Sequence, residues 1–416
     1  MKEFFTRRRQ PDAVRTRIDG VQFRSDAHID APVCDGLSVE STIPLPEQNV
    51  LSQSHSPRGD VALETLLLPL QTSEVRWPAS SRVLFLRARA GWPLQRFPRE
   101  QWICEQSFRP YADALQRDGL AVTATDAGGD PLQLVLALPP RQRDEARALL
   151  ARAVLRTAQG GVVLACMANS EGARSGESDL ARLLGPMHSL SKHHCRAFWA
   201  TVRADILDRA LLDAWSLLDA PRPICAGRFL SRPGLFAWDR IDPASALLAS
   251  VLPHDLAGRG ADLGAGYGYL SAEVLARCPR VTALDLFDAE ARALALAKLN
   301  LARSDVRDDA HDFPQPDFSQ RDFPQLGFYW HDVTIGLPHR YDFIVSNPPF
   351  HLDRAARPEL GRAFILAAAD ALLPGGRLWL VANRHLPYES ALAEKFASAR
   401  TVIVRDGFKV LEAVQG

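Results

Sequence analysis

The chain has 416 residues, of which 47% are hydrophobic and 24% charged, so it is long enough for two globular domains. Its 49 basic and 49 acidic residues give a formal net charge of zero, which excludes wrapping of long nucleic acid by charge alone. The six cysteines lie far apart, and no stretch resembles a membrane span or a secretory signal. We therefore expect a monomeric cytoplasmic protein without a metal ion.

The first half of the chain alternates predicted helices and strands. Residues 1–58 are polar and rich in Pro, Ser and Gln, and we interpret them as a loosely packed lead-in to a domain of residues 59–227. The predicted elements of that domain are a helix near 60–70, a strand 82–86, a helix near 108–118, a strand 132–138, a helix near 141–158 and a strand 162–167. Such alternation predicts a parallel sheet with helices on its faces.

The second half, residues 228–416, repeats this organisation. Asp242 followed by Pro243 has the pattern of a helix N-cap, and the helix that it opens extends through Leu252. Predicted strands follow at 260–263, 281–285, 327–331, 342–347, 377–383, 401–405 and 408–413. The segment 308–323 repeats Phe, Asp, Pro and Gln without usable periodicity, and we interpret it as an inserted surface loop.

Comparison of the halves indicates an internal duplication. Residues 133–140 correspond to residues 342–349, and residues 160–169 correspond to residues 375–383. The first copy has Leu138 in the position of Asn347, and its segment 86–91 holds one glycine where the second copy has three. The predicted fold class is therefore α/β, with two tandem Rossmann-like domains of which the first is degenerate and serves folding or substrate recruitment.

A glycine-rich turn in the second half predicts a nucleotide cofactor. Gly264, Gly266 and Gly268 lie between a short buried strand and a helical segment, where glycine permits positive φ and close approach of a ligand. The spacing is not the Gly-x-Gly-x-x-Gly that accommodates a pyrophosphate, and Asp262 offers an acceptor to an ammonium group, so the pattern favours S-adenosylmethionine. Asp285, placed at the end of the next predicted strand, is the candidate acceptor for the ribose hydroxyls.

The segment Asn347-Pro348-Pro349-Phe350 predicts the transfer of a methyl group to a planar amine. Tandem prolines stiffen the turn and remove N–H donors. The Asn347 amide oxygen and the Pro348 carbonyl oxygen could then accept both hydrogens of an amine while Phe350 stacks on its ring. The alternative, a turn that merely ends a strand, stays open at this point.

The chain resembles the bacterial ribosomal RNA guanine-N2 methyltransferases of the RsmC and RlmG type. The resemblance covers most of the chain beyond residue 60 and is carried by the motifs 229–234, 262–268, 346–351, 381–388 and 407–410. It implies a class I methyltransferase fold, S-adenosylmethionine as cofactor and a guanine N2 amine of ribosomal RNA, or of a ribosomal subunit or assembly particle, as acceptor, with small-subunit RNA favoured.

By motif position, the resemblance also implies roles for individual residues. Asp262, Gly264, Gly266 and Gly268 would line the cofactor, Asp285 would bind ribose and Asp332 would approach the adenine. The chain departs from the pattern at Phe236-Ala237-Trp238 and at Pro243-Ala244.

Two other functions are compatible with the residues. One is an amino methyltransferase acting on adenine N6 or on a protein glutamine, since these enzymes also use an Asn-Pro-Pro-aromatic turn. The other is a non-catalytic ribosome-assembly factor with a vestigial cofactor site.

Overall fold

The computed structural model describes residues 59–126, 128–302, 324–349, 351–352, 355–356 and 358–416. The predicted lead-in at 1–58, the predicted insertion at 308–323 and Phe350 lie outside the described residues.

The first half forms one seven-stranded sheet with helices on its two faces. Its strands are β1 (Val83–Leu86), β2 (Trp102–Glu105), β3 (Val122–Thr123), β4 (Leu132–Ala137), β5 (Thr157–Ala168), β6 (His188–Lys192) and β7 (Cys195–Thr201). Its helices are α1 (Val61–Gln71), α2 (Arg109–Arg117), α3 (Arg143–Leu155), α4 (Ala173–Leu184) and α5 (Arg209–Ser216).

The second half forms another seven-stranded sheet. The hairpin β8 (Arg222–Ile224) and β9 (Phe229–Ser231) precedes it, and β14 (His351–Leu352) and β15 (Ala355–Ala356) form a second small hairpin. The strands of the sheet are β10 (Ala257–Leu263), β11 (Arg280–Asp288), β12 (Gln325–Trp330), β13 (Tyr341–Ser346), β16 (Leu372–Asn383), β17 (Ser398–Arg405) and β18 (Phe408–Val414). The helices are α6 (Pro243–Val251), α7 (Tyr269–Arg277), α8 (Ala291–Ala302), α9 (Pro358–Ala371) and α10 (Tyr388–Lys395).

The two sheets have the same topology. Their strand orders are β3-β2-β1-β4-β5-β7-β6 and β12-β11-β10-β13-β16-β18-β17, which correspond position by position. In each sheet the first five strands are parallel and the last two pair antiparallel. The prediction of two tandem α/β domains is confirmed. The domain limit predicted at 227 and 228 falls inside the β8–β9 hairpin and stays a proposal.

Strand register shows which residues of the two halves are equivalent. Leu84 pairs with Val135 in the first sheet, as Ala261 pairs with Ile344 in the second. Phe85 therefore occupies the position of Asp262, and Leu138 that of Asn347. Both hydrophobic replacements are buried, so at these two positions the first half has apolar side chains in place of the carboxylate and the amide.

Each sheet is packed on both faces by apolar side chains. Two buried clusters lie in each half, and they include Phe85 and Trp102 in the first and Tyr341 and Phe343 in the second. Burial of a large apolar side chain contributes about 1.5–3 kcal/mol, so these faces hold the strand ends in place. Along the described chain, every helix is too short or too polar to cross a lipid bilayer.

Candidate functional site

Four neighbouring parallel strands end at one edge of the second sheet. Asp262 lies near the end of β10, Asp288 ends β11, Asp332 follows β12 and Asn347 follows β13. From β10 the chain continues to β11 on one side, whereas β13 pairs with β10 on the other side. The strand order therefore reverses at β10, which makes the carboxyl end of this strand a topological switch point. Ligands of open α/β sheets bind at such points.

The glycine turn after β10 is a backbone structure that favours glycine. Gly264, Gly266 and Gly268 have φ values of 76°, 57° and 92°, a region that other residues rarely adopt. A Cβ on Gly266 would meet no described atom within 4 Å, whereas a Cβ on Gly268 would lie 3.2 Å from Cβ of Ala297 in α8. Gly266 therefore faces open space, and Gly268 permits close helix packing.

Asp262 is fully buried beneath this turn. Its Oδ2 accepts the hydroxyl of Ser271 at 2.7 Å, and its Oδ1 is buried with no hydrogen-bond partner among the described residues. Burial raises the pKa of this carboxyl to about 7. A buried oxygen without a partner is unfavourable, so a bound cation or donor would complete the site.

Asp288 connects β11 to the glycine turn. Its Oδ2 accepts the Gly266 N–H at 2.7 Å, and its Oδ1 accepts the Glu290 N–H at 2.7 Å. Burial raises the pKa of Asp288 to about 6. The Asp288 carboxylate thus lies against Gly266, the residue of the turn that faces open space.

The structure places Asp285 away from this edge. We predicted that the strand ends at Asp285, and this was wrong, because β11 continues three residues further to Asp288. Asp285 is buried within the sheet, and its Oδ2 accepts two hydrogen bonds from Arg259, at 3.0 and 2.6 Å, and one from the Tyr341 hydroxyl at 3.0 Å. These contacts make Asp285 part of an internal ion pair.

Asp332 begins a single helical turn, Val333–Ile335. Its Oδ1 accepts the Thr334 N–H at 2.9 Å and the Thr334 hydroxyl at 2.7 Å. Since Trp330 pairs with Asp288 in the sheet, Asp332 lies two residues beyond the neighbour of Asp288, at the same edge.

Asn347 is held by helix α6. Its amide nitrogen donates to Asp242 Oδ2 at 2.9 Å and to Ser245 Oγ at 2.8 Å. Both amide hydrogens are therefore used, and the Asn347 Oδ1 is buried with no partner among the described residues. The same Asp242 oxygen accepts the Ser245 N–H at 2.8 Å and so caps α6.

The rest of the turn is only partly described. Pro348 is buried and Pro349 is exposed. Phe350, predicted to stack on the acceptor ring, lies outside the described residues.

Sequence reasoning missed the roles of three residues at this edge. Asp242 was predicted only as a helix cap, and Ser245 and Asp288 were not singled out. The apolar residues Leu286 and Phe287 continue the strand beyond Asp285, and this continuation was the signal for Asp288. Within the described residues, no three His, Cys, Asp or Glu side chains are grouped closely enough to hold a metal ion.

Comparisons with known proteins show which proteins this chain is similar to. The family model "Methyltransferase small domain" matches residues 226–412. The "Ribosomal RNA small subunit methyltransferase C" of Psychromonas ingrahamii is 27% identical over 327 residues, which cover 77% of this chain and 88% of the relative. The protein of the same name from Erwinia tasmaniensis is 33% identical over 183 residues, 44% of this chain and about half, 48%, of that relative.

A solved structure has the same fold over most of the chain. It is the T. thermophilus 16S rRNA N2 G1207 methyltransferase in complex with AdoMet and guanosine. Its TM-score is 0.68 at 23% identity, and the superposition covers 86% of this chain and 92% of that one.

Proposed function

We propose that this chain is a class I methyltransferase of the RsmC type, as its similarity to such proteins supports, and that it transfers a methyl group from S-adenosylmethionine to the exocyclic N2 amine of a guanine in small-subunit ribosomal RNA. The main support for this proposal is the Asn347 amide oxygen, which is buried and has no hydrogen-bond partner in the described part of the chain, while Asp242 and Ser245 accept both amide hydrogens.

The residues at this edge fit the cofactor. Asp262 Oδ1, which has no partner within the described ranges, suits the ammonium of the methionine part. The space above Gly266, which no described atom fills, allows the cofactor to come close to the backbone. Asp288, rather than Asp285, is in position to accept the ribose hydroxyls, because Asp285 is bound by Arg259. Asp332 is the residue that we propose to approach the adenine.

The bound cofactor supplies an electrophilic methyl group. The protein then has to present an amine whose lone pair points at that group. Two acceptors, Asn347 Oδ1 and the Pro348 carbonyl, would hold the two amine hydrogens and stabilise the positive charge that develops on nitrogen. Phe350 would stack on the guanine and fix its plane. The nitrogen becomes positively charged as it takes up the methyl group, so its proton becomes acidic and can pass to solvent without a strong base.

The hydrogen bonds of Asn347 favour an amine as the group that receives the methyl. With its NH₂ held by Asp242 and Ser245, Asn347 offers only an acceptor. A carbonyl, which cannot donate, would find no donor there. A purely vestigial site does not explain why Asp262 and Asn347 both keep buried oxygens that lack a partner among the residues the structure describes. We further propose a monomer that works in the cytoplasm without a metal ion.

The test is methylation of RNA by the purified protein. We expect labelled S-adenosylmethionine to modify small-subunit RNA or small ribosomal subunits, with N2-methylguanosine as the product found by mass spectrometry of digested nucleosides. A transcript with inosine at the target position lacks the N2 amine and should receive no methyl group. Formation of N6-methyladenosine or a methylated glutamine instead would contradict the proposal.

A further inference from the structure

The two halves contact each other through equivalent loops. By strand register, Ser107 after β2 corresponds to Ala289 after β11, and Arg109 corresponds to Ala291. Arg109 N–H donates to the Ala289 carbonyl at 2.7 Å, and Ala291 N–H donates to the Ser107 carbonyl at 2.9 Å. Between them, Phe108 and Glu290 form an antiparallel bridge. The contact is thus related by an approximate twofold axis.

This contact begins at the residue after Asp288. The Asp288 carboxylate accepts N–H groups from Gly266 and Glu290, and Glu290 is itself the bridge residue. The backbone that orients Asp288 is therefore held on one side by the glycine turn and on the other by the first half.

Side chains of both halves reinforce the same loop. Arg292 binds Glu145 of α3 at 2.7 Å and Glu290 at 2.9 Å, and its side chain is only 15% exposed. Glu145 also accepts from Arg87 at 3.1 Å. Burial acts to raise the pKa of Glu290, but Arg292 outweighs it and lowers that pKa. Such a buried ionic network tolerates little displacement.

A tryptophan side chain also binds both loops of this contact. Trp330 Nε1 donates to both the Ser107 and Ala289 carbonyls, at 2.8 and 2.9 Å. The Arg109 guanidinium lies 4.9 Å from the centre of the Trp330 ring.

We infer that the degenerate first half holds the cofactor-binding loop in place, and that the Arg109 backbone N–H and the Glu145 carboxylate are positioning groups for Asp288. This inference rests on the proposed role of Asp288 in binding the cofactor ribose. It assigns to the first half a part in cofactor affinity, although the residues of its own glycine turn are lost.

The test compares Arg109→Pro with Arg109→Ala in the full chain. Arg109 is the first residue of α2, where proline is well tolerated, and Phe108 already has the extended conformation (φ −92°, ψ 114°) that a following proline requires. Both variants lose the guanidinium, but only Arg109→Pro loses the N–H given to Ala289. Calorimetry should show S-adenosylmethionine bound roughly threefold to tenfold more weakly by Arg109→Pro than by Arg109→Ala.

A second pair guards against loss of folding. Glu145→Gln should weaken cofactor binding, whereas Asp144→Asn, one residue earlier on the same helix, should not, and thermal melts compare their stability. In an Asp288→Asn background, Arg109→Pro should add little further loss, because both act through one group.

Three outcomes would overturn the inference. The first is equal cofactor affinity of Arg109→Pro and Arg109→Ala together with equal affinity of Glu145→Gln and Asp144→Asn. The second is an undiminished additional loss of affinity when Arg109→Pro is added to Asp288→Asn. The third is wild-type affinity of Asp288→Asn itself. Absence of cofactor binding by the wild type would instead refute the proposed function.

Discussion

Comparing Asp242→Ala with a second cap variant separates the orientation of the Asn347 amide, which we propose to be catalytic, from the capping of a helix. Asp242 Oδ2 accepts hydrogen bonds both from the Asn347 amide and from the N–H of Ser245 in the first turn of α6. Asp208 caps α5 through the Leu211 N–H at 2.9 Å in the first half. Asp208→Ala is therefore a matched control that loses a cap and nothing at the site.

The expected magnitude follows from these contacts. Loss of a cap destabilises either variant by about 1 kcal/mol. Asp242→Ala also removes a hydrogen bond to a charged group, worth about 1.5–3 kcal/mol, which fixes the Asn347 amide. If the amide then turns, its NH₂ points at the substrate amine, and the methylation rate falls by roughly tenfold to a hundredfold. Asp242→Asn keeps an acceptor oxygen and should recover most of the rate.

The assay is single-turnover methylation of small-subunit RNA at saturating S-adenosylmethionine, with cofactor affinity from calorimetry and stability from thermal melts. Both variants should stay folded and bind cofactor alike, with Asp242→Ala melting at the lower temperature because it also loses the Asn347 hydrogen bond. Only Asp242→Ala should react slowly. Equal reaction rates of these two variants would refute the proposed orientation of Asn347 by Asp242.

Three further predictions concern cofactor and base. Asp288→Asn should weaken S-adenosylmethionine binding by roughly tenfold, because charged hydrogen bonds are lost. Asp285→Asn should lower the melting temperature and leave cofactor affinity unchanged. If calorimetry shows the reverse, Asp285 is the ribose ligand. Because the pKa of Asp262 is raised to about 7 and that of Asp288 to about 6, both become protonated as pH falls from 7.5 to 5.5, and cofactor affinity measured over that range should decrease; a flat profile contradicts the ammonium role of Asp262. Without cofactor these raised pKa values act on stability in the opposite sense, since the stabilisation that they contribute is present below pH 4 and is lost as pH rises through 6 to 7. Phe350→Ala should raise the Michaelis constant for RNA by roughly tenfold, since stacking contributes about 1–3 kcal/mol per base, and Phe350→Tyr should not; equal constants would exclude stacking.

Much of the fold followed from local patterns in the sequence. The predicted strand 342–347 and helix 243–252 match β13 and α6 within a residue, because buried apolar runs and an Asp-Pro cap are local signals. The duplication also predicted that Leu138 replaces Asn347, and the register confirms it.

What the sequence could not provide was the set of contacts made at long range. Asp242 and Asn347 are 105 positions apart, and their hydrogen bond depends on how α6 packs at the sheet edge. That β11 ends at Asp288 and not at Asp285 depends on the pairing of β11 with β10 and β12. The contact of Arg109 with Ala289 arises from association of the two halves, for which no local pattern exists.

The most direct test of the proposed guanine-N2 methylation is mass-spectrometric mapping of small-subunit ribosomal RNA from a strain that lacks this protein. We expect that one N2-methylguanosine is missing from that strain and that expression of the wild-type chain restores it. A folded Asn347→Ala variant should not restore it, because it would lose the proposed transition-state contact, worth about 2–4 kcal/mol. An unchanged set of modified guanines in the deletion strain, or full restoration by Asn347→Ala, would contradict the proposal.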